Sequence, residues 1–368
     1  MKLLYLFALL IACQGLFAQH VGLGKGEITL LKNQLRAPGA DSSLLGLYAH
    51  EQRLADQALW DHPDPIDTIR SEGLLQGNPK KTATQQSLQD MAKLYALALV
   101  YRVGGKRMYL RQALEYLAAW ALVNHPRGDP IDDTNLDPAI EAFDMVKTRL
   151  PWHLARDVRR WLSATADSEI TAVFNRPNRA TSYNNWHSHR LKVIGEIAFA
   201  LDDTALESYA IRGLKEQIGR NLRADGSSED FVTRDALHYQ VYDLEPLLKL
   251  AIVLSRATGV DYYTYVSAAG SSIRKSMDWL VPFATGEKTH AEFVNSTVEF
   301  DRRRARNGEA AYKAGSLWDP RNGVIALELA AFYDPAMMTT ARTLSGQEGR
   351  YPGWQAVVNE LVSATDQR

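Results

Sequence analysis

Two segments of the chain collect residue types that transfer protons or hold anions. The first, Thr181-Ser182-Tyr183-Asn184-Asn185-Trp186-His187-Ser188-His189-Arg190, sets amides, hydroxyls, imidazoles and a guanidinium directly ahead of an apolar stretch. Ser182 or Asn184 can cap the helix which that stretch predicts, because a short polar side chain satisfies the free N–H groups of a first turn. His187 and His189 invite a metal, but ligands on one helix face stand three or four residues apart, and no His-Glu-x-x-His pattern occurs. Histidines two apart point to different sides, which argues against zinc. The second segment runs from Asp225-Gly226-Ser227-Ser228-Glu229-Asp230 through Arg234 and Asp235 to Ala236-Leu237-His238-Tyr239-Gln240-Val241-Tyr242, a polar loop entering a long helix. With a start near Asp235, Leu237, Val241, Leu244 and Leu248 form the core stripe of that helix, and His238, Tyr242 and Glu245 fall on a neighbouring polar stripe. Tyr239 shares a side with Tyr242, so either phenol is placed to reach a site.

These segments need rigid elements behind them, and the chain's periodicity says which kind. Apolar residues recur at three-to-four spacing almost throughout, so the predicted fold is all-α. Leu88 to Val103 forms a helix stopped by Gly104-Gly105, and a second, with Tyr109, Leu110, Ala113, Leu117 and Trp120, stops before Asn124-His125-Pro126. Further antiparallel hairpins pair 138–147 with 152–168, 185–201 with 205–223, and 237–258 with 262–281. No strict repeat accompanies them, which disfavours a solenoid and favours an α/α toroid, an incomplete α/α barrel of helix hairpins. Residues 282–322, with Gly286, Gly308, Gly315 and the charge run Glu299 to Arg306, read as loops over a cavity mouth. No linker divides the chain, so residues 19–368 are expected to form one domain.

Basic and acidic residues nearly balance, 42 against 43, which removes a generally basic surface as an argument for nucleic acid. Sixteen Tyr, nine His and eight Trp supply proton donors and flat apolar faces for sugar rings. The start, Met1-Lys2-Leu3-Leu4 through Ala12, has one positive charge and an apolar run too short to span a bilayer, which reads as a secretory signal. Cleavage is expected after Ala18, before Gln19. Leu10-Ile11-Ala12-Cys13 resembles a bacterial lipobox, which makes a lipid anchor at Cys13 the alternative. Either route exports the protein to the periplasm or beyond. Cys13 is the only cysteine, so the mature chain has no cysteine nucleophile, disulfide or thiolate metal site, and no later segment suits a membrane span.

Asn184-Asn185-Trp186-His187 together with Ala236-Leu237-His238-Tyr239-Gln240-Val241-Tyr242 resembles the alginate lyase superfamily of polysaccharide lyases, whose members pair an Asn-Asn-His helix start with a later Ala-Leu-x-Tyr-x-x-Tyr helix. Asp133-Thr134-Asn135-Leu136-Asp137-Pro138-Ala139 is similar to the asparagine-leucine helix start of the same superfamily. The likeness spans roughly residues 50 to 300, with Trp186 inserted between the asparagine pair and His187. It implies an α/α toroid that cleaves a 4-linked polyuronate, alginate or glucuronan, by β-elimination, with an acidic polysaccharide as partner and no cofactor. Such a reaction removes the C5 proton beside a carboxylate and protonates the oxygen leaving C4. The carboxylate must be neutralised to stabilise an enolate-like state, and a base must be positioned. Arg234, His187 and Asn185 suit the first role, and Tyr242 or His187 the second. Asn184, His238, Tyr239, Trp186 and Asn135 are candidate substrate contacts. In β-1,4-linked mannuronate or glucuronate the C5 proton and C4 oxygen share a side, so one tyrosine can be both base and acid. A phenol titrating near 10 needs a cation beside it to do so. Two rivals compete: a hydrolase using two of Glu141, Asp144, Glu229 and Asp230, and a glycan-binding protein without catalysis. Lys80 and Lys81 follow Gly77-Asn78-Pro79 and read as a solvated loop.

Overall fold

The computed structural model describes residues 19–366 other than Glu348. The expected signal segment, with Cys13 and Ala18, lies outside the described residues. Thirteen helices matter for the architecture: α1 (Lys25–Arg36), α2 (Ser42–Ala58), α3 (Gln89–Gly104), α4 (Arg107–Val123), α5 (Asp137–Val146), α6 (Trp152–Thr171), α7 (Asn185–Leu201), α8 (Thr204–Asn221), α9 (Leu237–Thr258), α10 (Ile273–Ala284), α11 (Val324–Ala330), α12 (Ala336–Ser345) and α13 (Trp354–Asp366). Among the described residues there is no strand beyond the isolated bridges Leu222–Ser228 and Ala291–Leu317. Helices α3, α5, α7, α9 and α11 pack in succession as an inner ring, and α4, α6, α8, α10 and α12 return along the outside. Helices α13 and α1 lead from α11 back towards α3. This is the α/α toroid that the hairpins predict. None of the described helices is long and apolar enough to cross a membrane.

One apolar cluster extends from Val21 to Leu361. Helix α7 is buried on every side except at Trp186 and His187, so its polar residues must find partners inside the protein. Ser188 donates to Asp243 at 2.6 Å, Arg190 pairs with Glu169 at 3.2 Å, and Lys192 pairs with Asp137. Lys249 joins that last carboxylate to Glu141, at 2.7 Å, and to Glu196. Two lysines and three carboxylates of α5, α7 and α9 thus form one cluster of paired charges between inner helices.

The start of α9 is built from three directions. A short helix, Glu229–Arg234, comes first, capped by Ser228, whose hydroxyl accepts from Phe231 N. Asp235 then takes a left-handed conformation, φ 50°, so α9 begins at Leu237 rather than at the expected Asp235. No local side chain caps α9; Glu292 instead accepts from Leu237 N at 2.7 Å and His238 N at 3.0 Å, filling the free donors of the first turn. Helix α10 starts at Ile273, capped by Ser272, and not at Tyr262. Asp261 accepts from Tyr263 N and Thr264 N, which turns the chain and ties Tyr262 and Tyr263 into the core by packing rather than by helix. Within 282–322 the charge run forms a short helix, Glu299–Arg306, between irregular stretches.

Candidate active site

The first turn of α7, the Glu229–Arg234 helix, the start of α9 and the Glu299–Arg306 helix converge on a cavity of about 180 Å³. It brings together six residues expected from the sequence: Asn185, Trp186, Arg234, His238, Tyr239 and Tyr242. It also contains Glu72, Ile131, Arg304 and Tyr312.

Tyr239 sits in a cationic cradle. Its hydroxyl accepts from Arg304 Nη1 at 3.1 Å and donates to Asp301 Oδ1 at 3.1 Å. The Arg234 guanidinium lies 3.8 Å from the centre of the Tyr239 ring and bonds Asp301 at 2.7 Å. Burial pushes the phenol well above its ordinary value, and Arg234 and Arg304 oppose that shift. Tyr242 is arranged differently. Its ring packs on His189 at 4.5 Å and lies parallel to His238 at 6.2 Å, and among the described residues no arginine donates to its hydroxyl. Burial raises its pKa as well. Burial, Arg304 and Arg234 push His238 down to about 4, so it is neutral at neutral pH. His189, whose Nδ1 is 2.9 Å from Thr134 Oγ1, is pushed down to about 3 by burial and Lys192.

Asn185 is held by a carboxylate behind it. Asp230 accepts from the Asn185 backbone N at 2.7 Å and from its Nδ2 at 2.5 Å. One amide hydrogen is thereby committed and the other stays available to a ligand. Burial lifts Asp230 to about 6, against the pull of Arg234 and Asn185.

Three expected residues lie outside the cavity lining. Asn184 caps α7, accepting from Trp186 N at 3.1 Å. Asn135 donates to Ile131 O and Asp132 O and so locks its own turn. His187 is the main correction: two-residue spacing puts it opposite His189, in an outer pocket with Tyr209 and Arg220, and not across the cleft from the tyrosines. The hydrolase carboxylates are scattered. Glu141 pairs with Lys249, Asp144 accepts from Val21 N and Gly22 N, Glu229 pairs with Arg223, and Asp230 holds Asn185. None of the four lines the Tyr239 cavity. Lys80 lies near the start of the short helix Pro79–Ser87, whereas Lys81 Nζ donates to Leu74 O.

The family model for alginate lyase matches residues 46–290, two thirds of the chain. The chain belongs to the alginate lyase family. It is therefore a polysaccharide lyase, and its fold agrees with solved members. An alginate lyase from Bacteroides ovatus is similar over 90% of this chain and 97% of its own, at 16% identity and a TM-score of 0.65. Alginate lyase A1-III from Sphingomonas species A1 is similar over 83% of this chain and 94% of its own, at 18% identity and a TM-score of 0.56. A histidine-to-alanine variant of A1-III complexed with a tetrasaccharide covers 72% of this chain and 76% of its own, at 19% identity and a TM-score of 0.53. No curated protein sequence matches the lyase.

The residues that sequence reasoning missed share one cause. Asp301 and Arg304 belong to the charge run read as covering the mouth, but nothing in the run separates Arg304 from Arg302, Arg303 or Arg306. Glu72 reaches the site by pairing with Arg304, in a loop that Asp132 fixes by accepting from Ser71 N and Glu72 N. A contact spanning more than two hundred positions leaves no local pattern.

Proposed function

We propose that this lyase cleaves a β-1,4-linked polyuronate, polymannuronate or glucuronan, by syn β-elimination, with Tyr239 transferring both protons. The observation that carries the proposal is the Tyr239 hydroxyl held between Arg304 and Asp301 with Arg234 on its ring. Arg234 and Arg304 pull the phenol towards the phenolate needed to take the C5 proton, against burial and the Asp301 carboxylate, and the resulting phenol can then protonate the C4 oxygen on the same side. Arg304 and the free Asn185 amide hydrogen are the donors offered to the uronate carboxylate, where charge builds up as the enolate-like state forms. Trp186 offers an apolar face to a sugar ring. The enzyme acts as a single toroid domain after export, either freely in the periplasm or outside the cell, or anchored through Cys13.

A panel of polymannuronate, polyguluronate, glucuronan and hyaluronan tests the reading. Polymannuronate or glucuronan should yield unsaturated ends absorbing in the near ultraviolet. Reducing ends without that absorbance would mean hydrolysis, and retention without either product would mean a binder. Within an active enzyme, Tyr239→Phe should lower turnover about 10²- to 10⁴-fold with the fold intact, and Tyr242→Phe should cost less. The reverse order would move the proton transfer to Tyr242.

A further inference from the structure

On the outer side of the first turn of α7, the 175–182 loop and the stretch of α8 from Tyr209 to Arg220 enclose a pocket of about 200 Å³ in which His187, Tyr209, Arg212 and Arg220 meet. Arg212, Glu216 and Arg220 are spaced by four and share one face of α8, so two guanidinium groups face a single carboxylate. The arginine–carboxylate pairs bordering this region are Arg190–Glu169 and Arg223–Glu229, and among the described residues no ion pair uses Arg212, Arg220, Arg176 or Arg179. The last two are exposed and flank the pocket's Asn175 and Pro177. The Arg220 guanidinium lies 5.5 Å from the centre of the Tyr183 ring, which steers it without using its N–H donors. His187 is uncharged here, held down to about 3 by burial, Arg190 and Arg220, so it can exchange hydrogen bonds in a positive field.

Unpaired guanidinium groups at the edge of a pocket select carboxylates, which they can grip with paired N–H donors. The one anion this enzyme meets under the proposed reading carries a carboxylate on every ring. Helix α8 runs antiparallel to α7, so the Arg212–Arg220 half flanks the end of α7 that carries Asn185 and Trp186. Trp186 packs on Phe174 at 5.2 Å and lines the Tyr239 cavity, while the next residue, His187, lines the outer pocket, so the two pockets adjoin at the first turn of α7. We infer that the outer pocket is a second binding site for the polyuronate chain, engaging carboxylates of rings that extend beyond the catalytic cavity past Trp186. It rests on the proposed function, and it predicts that long and short substrates are handled differently.

The test is the double variant Arg212→Ala with Arg220→Ala, assayed on long polymer and on tetrasaccharide at low and high salt. The site predicts a rise in KM for the polymer of about five- to tenfold at low salt, kcat unchanged, tetrasaccharide kinetics unchanged, and convergence with the wild type at about 0.5 M salt. Glu216→Gln should act in the opposite direction and lower the polymer KM, which keeps the idea testable if the double variant folds poorly. A wild-type polymer KM in both variants overturns it, and so does an equal change on polymer and tetrasaccharide. If the wild type releases unsaturated ends from no polyuronate, the proposed function has failed; if it does release them and only these variants behave as wild type, the second site alone has failed.

Discussion

Arg304 contributes to Tyr239 in two ways, as a hydrogen-bond donor at 3.1 Å and as a positive charge that opposes the upward push of burial on the phenol. Removing it leaves the phenol higher in pKa. Arg304→Ala should therefore shift the alkaline rise of kcat/KM to higher pH and lower the plateau, and a profile superimposable on wild type would show that Tyr239 is not the titrating group. Acid acts on the neighbouring histidine. His189 is buried, and its folded pKa of about 3 lies below the ordinary 6.5, so between those values the unfolded chain binds the proton more readily. Its share of stability is present above pH 6.5 and is lost as pH falls towards 3. His189→Gln should accordingly lose less Tm than wild type between pH 7 and pH 4.5, whatever its Tm at pH 7; parallel curves would contradict the assignment. The types of these residues were legible in the sequence, since Arg234, His238 and Tyr239 stand close together. Which phenol meets the cation was not legible, because Arg304 and Asp301 arrive from more than sixty positions away.

The helices that present these groups depend on a few tight joints. Gly226, at φ 99°, sits where a Cβ would come within 2.6 Å of Lys275 O and 2.5 Å of Trp279 Cβ on α10. Its carbonyl accepts from Gln240 of α9, whose amide oxygen accepts in turn from Ser228 N. The turn, α9 and its outer partner α10 are thus fastened at one residue. Gly226→Ala should cost roughly 2 kcal/mol or more in urea unfolding, through a backbone clash added to the unfavourable φ. Gly259, with φ 69° and nothing within 4 Å, is the control, and Gly259→Ala should cost only about 1 kcal/mol. Equal losses would mean that the contact with α10 adds nothing. Helix hairpins were readable because their apolar spacing is local, and α7 and the end of α9 fall where that periodicity puts them. The start of α10 was not, since apolar Tyr262 and Tyr263 continue the pattern while Asp261 breaks the helix with a turn. The cap on α9 was equally hidden, because Glu292 supplies it from a later loop.

Across the whole molecule, the inner helices give the toroid two unlike ends. Tyr239 opens α9 at one end, and Arg256, seventeen residues on, lies roughly 25 Å along the same axis. There its guanidinium donates to the carbonyls of Val21 and Gly22 and pairs with Glu27 at 2.8 Å. The toroid was legible from the number and length of the hairpins, whereas the strapping of the first described residues to the far end of α9 rests on backbone carbonyls, which carry no side-chain signature. That strap decides how the enzyme faces a surface. Any tether joined ahead of Gln19 leaves from the end remote from the cavity, so a molecule fixed to a bead or a bilayer by that route presents its mouth outward. Polymer too large to diffuse behind the enzyme should still be cut at close to the rate seen in free solution, and a large loss confined to polymer, with tetrasaccharide turnover kept, would show that the mouth faces the support.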